Sequence, residues 1–192
     1  MSQIPQLMSG RALEHGIALA VDHGGTSSKK MHVGGQAAAQ VAASAALSND
    51  ADPAELSEYK IPANTLVAGS TIRVRAAGIA SAYSTGNLTI TLKLGSETLA
   101  TDTVTPAGAN EIYDFQSLIQ VRTAGSTGTA VAISNFTVDV ATDSSTRTLK
   151  ASFTLDTTAE KALQLVAEWG AANAGNSIRS DIFVVDIVNP QT

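Results

Sequence analysis

Along Asn87-Leu-Thr-Ile-Thr-Leu-Lys-Leu94, the apolar residues Leu88, Ile90, Leu92 and Leu94 alternate with Thr89, Thr91 and Lys93. A period of two places successive side chains on opposite faces, so this stretch predicts a strand with one buried and one wet face. The signature recurs from about Tyr59 to Val188 with turn residues between the runs. Leu56 to Ile61 reads as a strand stopped by Pro62 and Ala63-Asn64. Thr71–Arg75 places Ile72 and Val74 inward and Arg73 and Arg75 outward. Gly95-Ser96 permits a hairpin into Thr98–Val104, and Glu111 to Thr123 carries Ile119 and Val121 on its core side. In Thr129 to Ala141 the parity changes: Val131 and Ile133 are odd, Phe136, Val138 and Val140 even. One extra residue would flip the faces, so a bulge or corner is expected near Ser134-Asn135. Leu149, Ala151, Phe153 and Leu155 alternate again, and Leu163–Trp169 follows. Ile182 to Val188 is apolar on both parities, the pattern of a strand covered on both faces. Eight or nine strands joined by short turns predict an all-β fold, an antiparallel jelly-roll-like sandwich.

The first fifty residues read differently, which divides the chain into an N-terminal arm, residues 1–52, and a sandwich, residues 53–192. Ile17–Val21 and Lys29–Val33 are candidate partner strands of a small hairpin, with Asp22-His-Gly-Gly25 as the turn. Gln36 to Leu47 is Ala-rich and free of Gly and Pro, which predicts a short helix. Such a helix is marginal alone and has to dock on the body. Ser48-Asn-Asp-Ala-Asp-Pro53 reads as the linker. The start of the chain has no basic stretch followed by an apolar one, and no apolar run approaches the roughly 18 residues of a membrane span, so neither a cleavable leader nor a membrane partner is expected.

Composition narrows the chemistry. Hydrophobic residues make up 44% but aromatics only 4%, so the core is built from Val, Ile, Leu and Ala. With 15% charged residues, the surface falls to Ser, Thr, Asn and Gly, and β-branched Thr suits a pleated surface. The net charge of −5 gives no electrostatic footprint for nucleic acid. There is no cysteine, hence no disulfide and no thiolate metal site. His15, His23 and His32 all fall in the arm, with Asp22 beside His23, but their spacing matches no compact ligand motif. His23-Gly-Gly-Thr-Ser-Ser-Lys-Lys30 lacks the order of a phosphate loop. No Gly-x-Ser-x-Gly elbow is present, and the carboxylates Asp102, Asp114, Asp139 and Asp143 are scattered with no body histidine to serve as a base. No catalytic residue, cofactor or metal is therefore expected. Arg73 and Arg75 share an outer strand face, with Arg122 at the same outward parity elsewhere, and such a face suits an acidic partner or plain solvent. Trp169 shares the parity of Leu163 and Leu165 and reads as a core or interface anchor.

Ile4-Pro-Gln-Leu, Ala12-Leu-Glu and Val21-Asp-His-Gly-Gly-Thr-Ser-Ser-Lys-Lys30 resemble the leader of phage tail-fibre and head-decoration proteins. Tyr59-Lys-Ile-Pro-Ala-Asn-Thr-Leu66 and Gly69-Ser-Thr-Ile-Arg-Val-Arg-Ala-Ala-Gly78 are similar to the first strands of a jelly-roll module in phage virion proteins, and Trp169-Gly-Ala-Ala-Asn-Ala-Gly-Asn-Ser177 to its last turn. The resemblance implies a non-enzymatic homotrimer on the capsid exterior of a tailed-phage virion: a decoration, or cement, protein whose arm binds the major capsid protein. Ile4, Leu7, Leu13, Ile17, Leu19 and Val21 are then the expected anchoring side chains. The alternative is a tail-associated receptor-binding module that contacts a host glycan through loops such as Ala80–Gly86 or Thr142–Arg147.

Overall fold

The computed structural model describes residues 19–20, 30–31, 35–82, 87–105, 108–138 and 144–190, and turns the alternating runs into strands. In chain order these are β1 Leu19–Ala20, β2 Lys30–Met31, β3 Gly35–Ala39, β4 Leu47–Ser48, β5 Ala54–Ile61, β6 Thr71–Ser81, β7 Leu88–Leu94, β8 Glu97–Val104, β9 Glu111–Thr123, β10 Thr129–Val138, β11 Ser144–Thr154, β12 Lys161–Trp169 and β13 Ser177–Val188. A seven-stranded sheet runs β11-β10-β9-β6-β13-β3, with β4 also paired to β13. A four-stranded sheet runs β5-β12-β7-β8, and β1 and β2 form the expected separate hairpin. Every pairing is antiparallel. Strands β6 and β7 pair with β13 and β12, far along the chain, and this nesting of early on late strands gives the sandwich its jelly-roll character.

Leu88, Ile90, Leu92 and Leu94 are all buried, as their alternation requires. They face Ile72, Val74, Phe115, Ile119 and Val185 of the other sheet in one continuous core. Phe136 packs between Phe115 and Tyr113, with ring centroids 5.7 and 6.5 Å away. Trp169 is fully buried, and among the described residues its Nε1 has no hydrogen-bond partner. Outside, Thr89 and Thr91 meet Thr103 and Thr101 hydroxyl to hydroxyl, each at 3.0 Å, a cross-strand ladder suited to β-branched residues.

Three expectations need correction. The helix over Gln36 to Leu47 does not form: residues 35–39 are strand β3, paired with Ile187 to Val184 of β13. Beyond it, Gln40 N–H donates to Phe183 O at 2.9 Å and Ser44 N–H to Ser180 O at 2.8 Å. An isolated helix is marginal in water, whereas the free edge of β13 offers a row of backbone partners. Within the segment that the sequence reads as the arm, residues 35–39 and 47–48 thus pair with the large sheet.

The second correction concerns parity. In β10 the inward residues are even throughout: Ala130, Ala132, Ser134, Phe136 and Val138. Small inward residues hid this, and Ser134 is held by a 2.9 Å hydroxyl contact to buried Ser117. The extra residue lies instead in β11, where Ala130 pairs Phe153 but Ala132 pairs Lys150. Phe153 therefore points inward while Leu149, on the far side of the bulge, is 70% exposed. Third, β13 is not covered on both faces: Phe183 and Val185 are buried, but Ile182 is exposed.

A close approach locks β13 onto β6. The register slips between Ser180 and Ile182, and the Arg179 carbonyl accepts a 3.0 Å hydrogen bond from the Tyr113 hydroxyl. Gly78 makes room for this, since a Cβ there would stand 2.0 Å from Arg179 O. A methyl group cannot be absorbed by backbone, so Gly78→Ala is expected to destabilise by about 2 kcal/mol or more, read as a lowered urea midpoint. Burial pushes the Tyr113 phenol well above its ordinary value. Its stabilising contribution is therefore complete below about pH 10 and is lost as pH rises towards the folded-state value. Tyr113→Phe is expected to cost about 1 kcal/mol at neutral pH through the lost hydrogen bond and to flatten the alkaline loss of stability. An unchanged alkaline slope in the variant would contradict this assignment.

Candidate interaction face

The outward positions of the seven-stranded sheet form registered rows. One row runs Leu149, Ile133, Leu118, Arg73, Asp186 and Gln36 across β11, β10, β9, β6, β13 and β3. The next runs Arg147, Asn135, Gln116, Arg75, Val184 and Ala39 over the same strands. All of these but Leu149, Gln36 and Ala39, at the row ends, line a shallow groove of about 390 Å³. Leu118, Ile133 and Leu149 here, with Ile112 on β9 and Ile182 on β13, are between 43% and 70% exposed. These five stand on one face, whereas the exposed large hydrophobics elsewhere among the described residues are Val41 and Val67 in connecting segments. Leu149, Ile133 and Leu118 are adjacent across three strands, and a contiguous exposed apolar patch is a candidate contact surface.

The charges sit around that apolar strip. Arg75 forms a two-point contact with Asp114, Nη2 to Oδ2 at 2.9 Å and Nε to Oδ1 at 3.3 Å. Gln116 Nε2 also donates to Asp114 Oδ2 at 3.2 Å. Being largely exposed, this pair contributes a few tenths of a kcal/mol and chiefly fixes the Arg75 head. Arg73 lies opposite Asp186 in the ladder. Among the described residues neither Arg73 nor Arg147 makes an ion pair. The groove thus joins aliphatic surface to two guanidinium groups that make no ion pair among the described residues, with Asp186 facing Arg73 across the ladder.

The predicted residues divide unevenly over the structure. Arg73 and Arg75 come together in the groove as the alternation of β6 requires. Arg122 does not join them: Ala130 pairs Val121 while Thr129 pairs Thr123, leaving Arg122 in a bulge at the end of β9. Asp114 is tied to Arg75, and Asp102 lies on β8 in the other sheet, so these two carboxylates form no acid–base pair. Asp102 Oδ1 accepts from Thr103 N–H at 2.9 Å, and its Oδ2 is buried without a hydrogen-bond partner among the described residues. Asp139, Asp143, His15, His23 and His32 lie outside the described residues, as do Ile4, Leu7, Leu13, Ile17 and Val21. Leu19 is in β1, opposite Met31. Among the described residues no group of three or more His, Cys, Asp or Glu is arranged to hold a metal, and no helix is long and apolar enough to cross a membrane.

In the sequence, Ile133 and Leu149 fall among alternating apolar runs, Arg147 only ends a candidate glycan-contact loop, and Leu118 is passed over. Leu118 carried a signal, being an apolar residue at the wet parity of a strand whose core residues are Tyr113, Phe115, Ile119 and Val121. Arg147 and Leu149 were hidden by the β11 bulge.

No protein-family model and no curated protein matches the sequence. Among solved structures, the metal-free form of lectin I-B4 from Griffonia simplicifolia is similar over 72% of this chain and 78% of that one. The identity is 7% and the TM-score 0.26.

If the groove is a contact surface rather than core, Leu118→Ser and Ile133→Ser change stability by no more than about 0.5 kcal/mol. Leu92→Ala, inside the sandwich, costs about 2–5 kcal/mol. Urea denaturation of the three variants checks this contrast.

Proposed function

We propose that the chain is a non-enzymatic structural component of a tailed-phage particle, a capsid decoration protein that binds the assembled shell through its N-terminal arm and works as a trimer. The observation that carries this reading is that five exposed aliphatic side chains share one face of the sandwich with two arginines that make no ion pair among the described residues. Such a face suits contact between proteins. The resemblance of the leader and of the Tyr59–Gly78 segment to phage virion proteins supplies the assembly.

Strand β3 begins at Gly35 and is hydrogen-bonded to β13. A shell-bound arm would pass its load directly into the sandwich. Binding only the assembled shell stabilises it by mass action, and three arms on one trimer multiply modest individual affinities through effective concentration. Ile4, Leu7, Leu13, Ile17, Leu19 and Val21 are the proposed anchors.

The test is co-sedimentation with purified shells lacking the protein. Full-length protein is expected to pellet with them and to raise their disruption temperature. A chain shortened to residues 35–192, with its thermal transition intact, is expected to remain in the supernatant. Equal pelleting of the shortened chain would refute the arm as the anchor. Absence of shell binding by the full chain, together with retention on a glycan array, would replace the proposal with the adhesive alternative.

A further inference from the structure

We propose that the groove on the seven-stranded sheet receives a second copy of this chain, and that the part it receives is the acidic turn between β4 and β5. This supplies the contact between copies that the proposed trimer needs and rests on that reading to that extent. The turn Asn49-Asp-Ala-Asp-Pro53 leads into Glu55 and Glu58, and no lysine or arginine occurs between residues 32 and 59. Asp50 and Asp52 are exposed and make no ion pair among the described residues. The loop's shape is set locally: Asp50 Oδ1 accepts from Asp52 N–H at 3.0 Å, and Asn49 takes a left-handed φ of 53°. It is thus a pre-shaped acidic knob with small apolar residues, Ala51 and Pro53, between and beside its carboxylates. The groove offers Arg73 and Arg147 on either side of Leu118 and Ile133, together with Arg75, so its three guanidinium groups outnumber its one lining carboxylate, Asp186.

The two surfaces cannot meet within one chain. Strand β4 pairs with Ser177 and Ile178 of β13, while the groove crosses β13 at Val184 and Asp186. At about 3.3 Å per residue, these points are roughly 20 Å apart along the strand. Contact between them is therefore head to tail between copies, a heterologous interface that closes into a ring when the rotation permits. Across the groove, Arg73 and Arg147 stand three strand spacings and one row apart, about 16 Å at their backbones. Long arginine side chains reach inward from both ends to two carboxylates on one turn. Unpaired guanidinium and carboxylate groups of opposite sign, desolvated together, are the kind of charge pairs that contribute measurably at interfaces.

Sedimentation equilibrium of the full-length chain without shells tests this, so failure here leaves shell binding by the arm unaffected. The parent protein is expected to form a closed oligomer at low ionic strength, with association weakening about tenfold or more near 0.5 M salt, where screening is short-ranged. The pair Arg73→Glu with Arg147→Glu is expected to give a monomer with an unchanged thermal midpoint, and separately Asp50→Arg with Asp52→Arg a folded monomer whose midpoint falls slightly through the lost Asp50 hydrogen bond. Combining all four changes is expected to restore the oligomer, since the charges then match again. A monomeric parent, an oligomer indifferent to the turn substitutions, or a folded four-fold variant that stays monomeric would each overturn the proposal. Salt titration of the unmodified chain carries the test if a variant fails to fold: an oligomer insensitive to salt overturns it as well.

Discussion

The pairing of β6 with β13 is the constraint on which the rest of the molecule depends. These strands lie at the centre of the large sheet and join residues about a hundred positions apart, from Thr71 opposite Val188 to Ser81 opposite Ser177. Their register fixes which side chains enter the sandwich, and Gly78, the Arg179 carbonyl and the Tyr113 hydroxyl fix the register. Once it is set, Arg73 must stand beside Asp186 and Arg75 beside Val184 on the outer surface. The outer rows are therefore a consequence of the core.

The same pairing gives the segment before the sandwich its form. The free edge of β13 recruits residues 35–39 and 47–48 as strands, closing part of an edge that would otherwise invite uncontrolled strand addition. It also holds the stretch that follows, through Gln40 and Ser44, against the backbone of Phe183 and Ser180. Residues 35–48 are thereby fastened to the body.

Much of the fold was legible because alternation is a direct image of burial. Leu88 to Leu94, Ile72 and Val74, and Ile119 and Val121 all occupy the faces their period assigns. Errors arose where a residue's size and its position disagree. Ala130, Ala132 and Ser134 fill inward sites with little volume, so the larger Val131 and Ile133 mimicked a core and displaced the expected bulge by a whole strand. The alanines of residues 37–39 have helical propensity, but a neighbouring edge outweighs propensity, and that edge lies almost 150 residues away in sequence. The interaction face was half visible: Arg73 and Arg75 follow from β6 alone, whereas Arg147 and Leu149 depend on a bulge whose position only the pairing with β10 decides.

The proposed role of this sandwich is that of a docking module on a phage shell, with its outer rows covered by a neighbouring copy. Imaging of intact particles at a resolution that separates the two sheets tests it most directly. The account predicts sandwiches grouped about capsid threefold positions, arms running onto the shell, and the face bearing Leu118, Ile133 and Arg73 covered by a neighbouring copy. Density confined to the tail, or a capsid-bound sandwich with that face open to solvent, would contradict it.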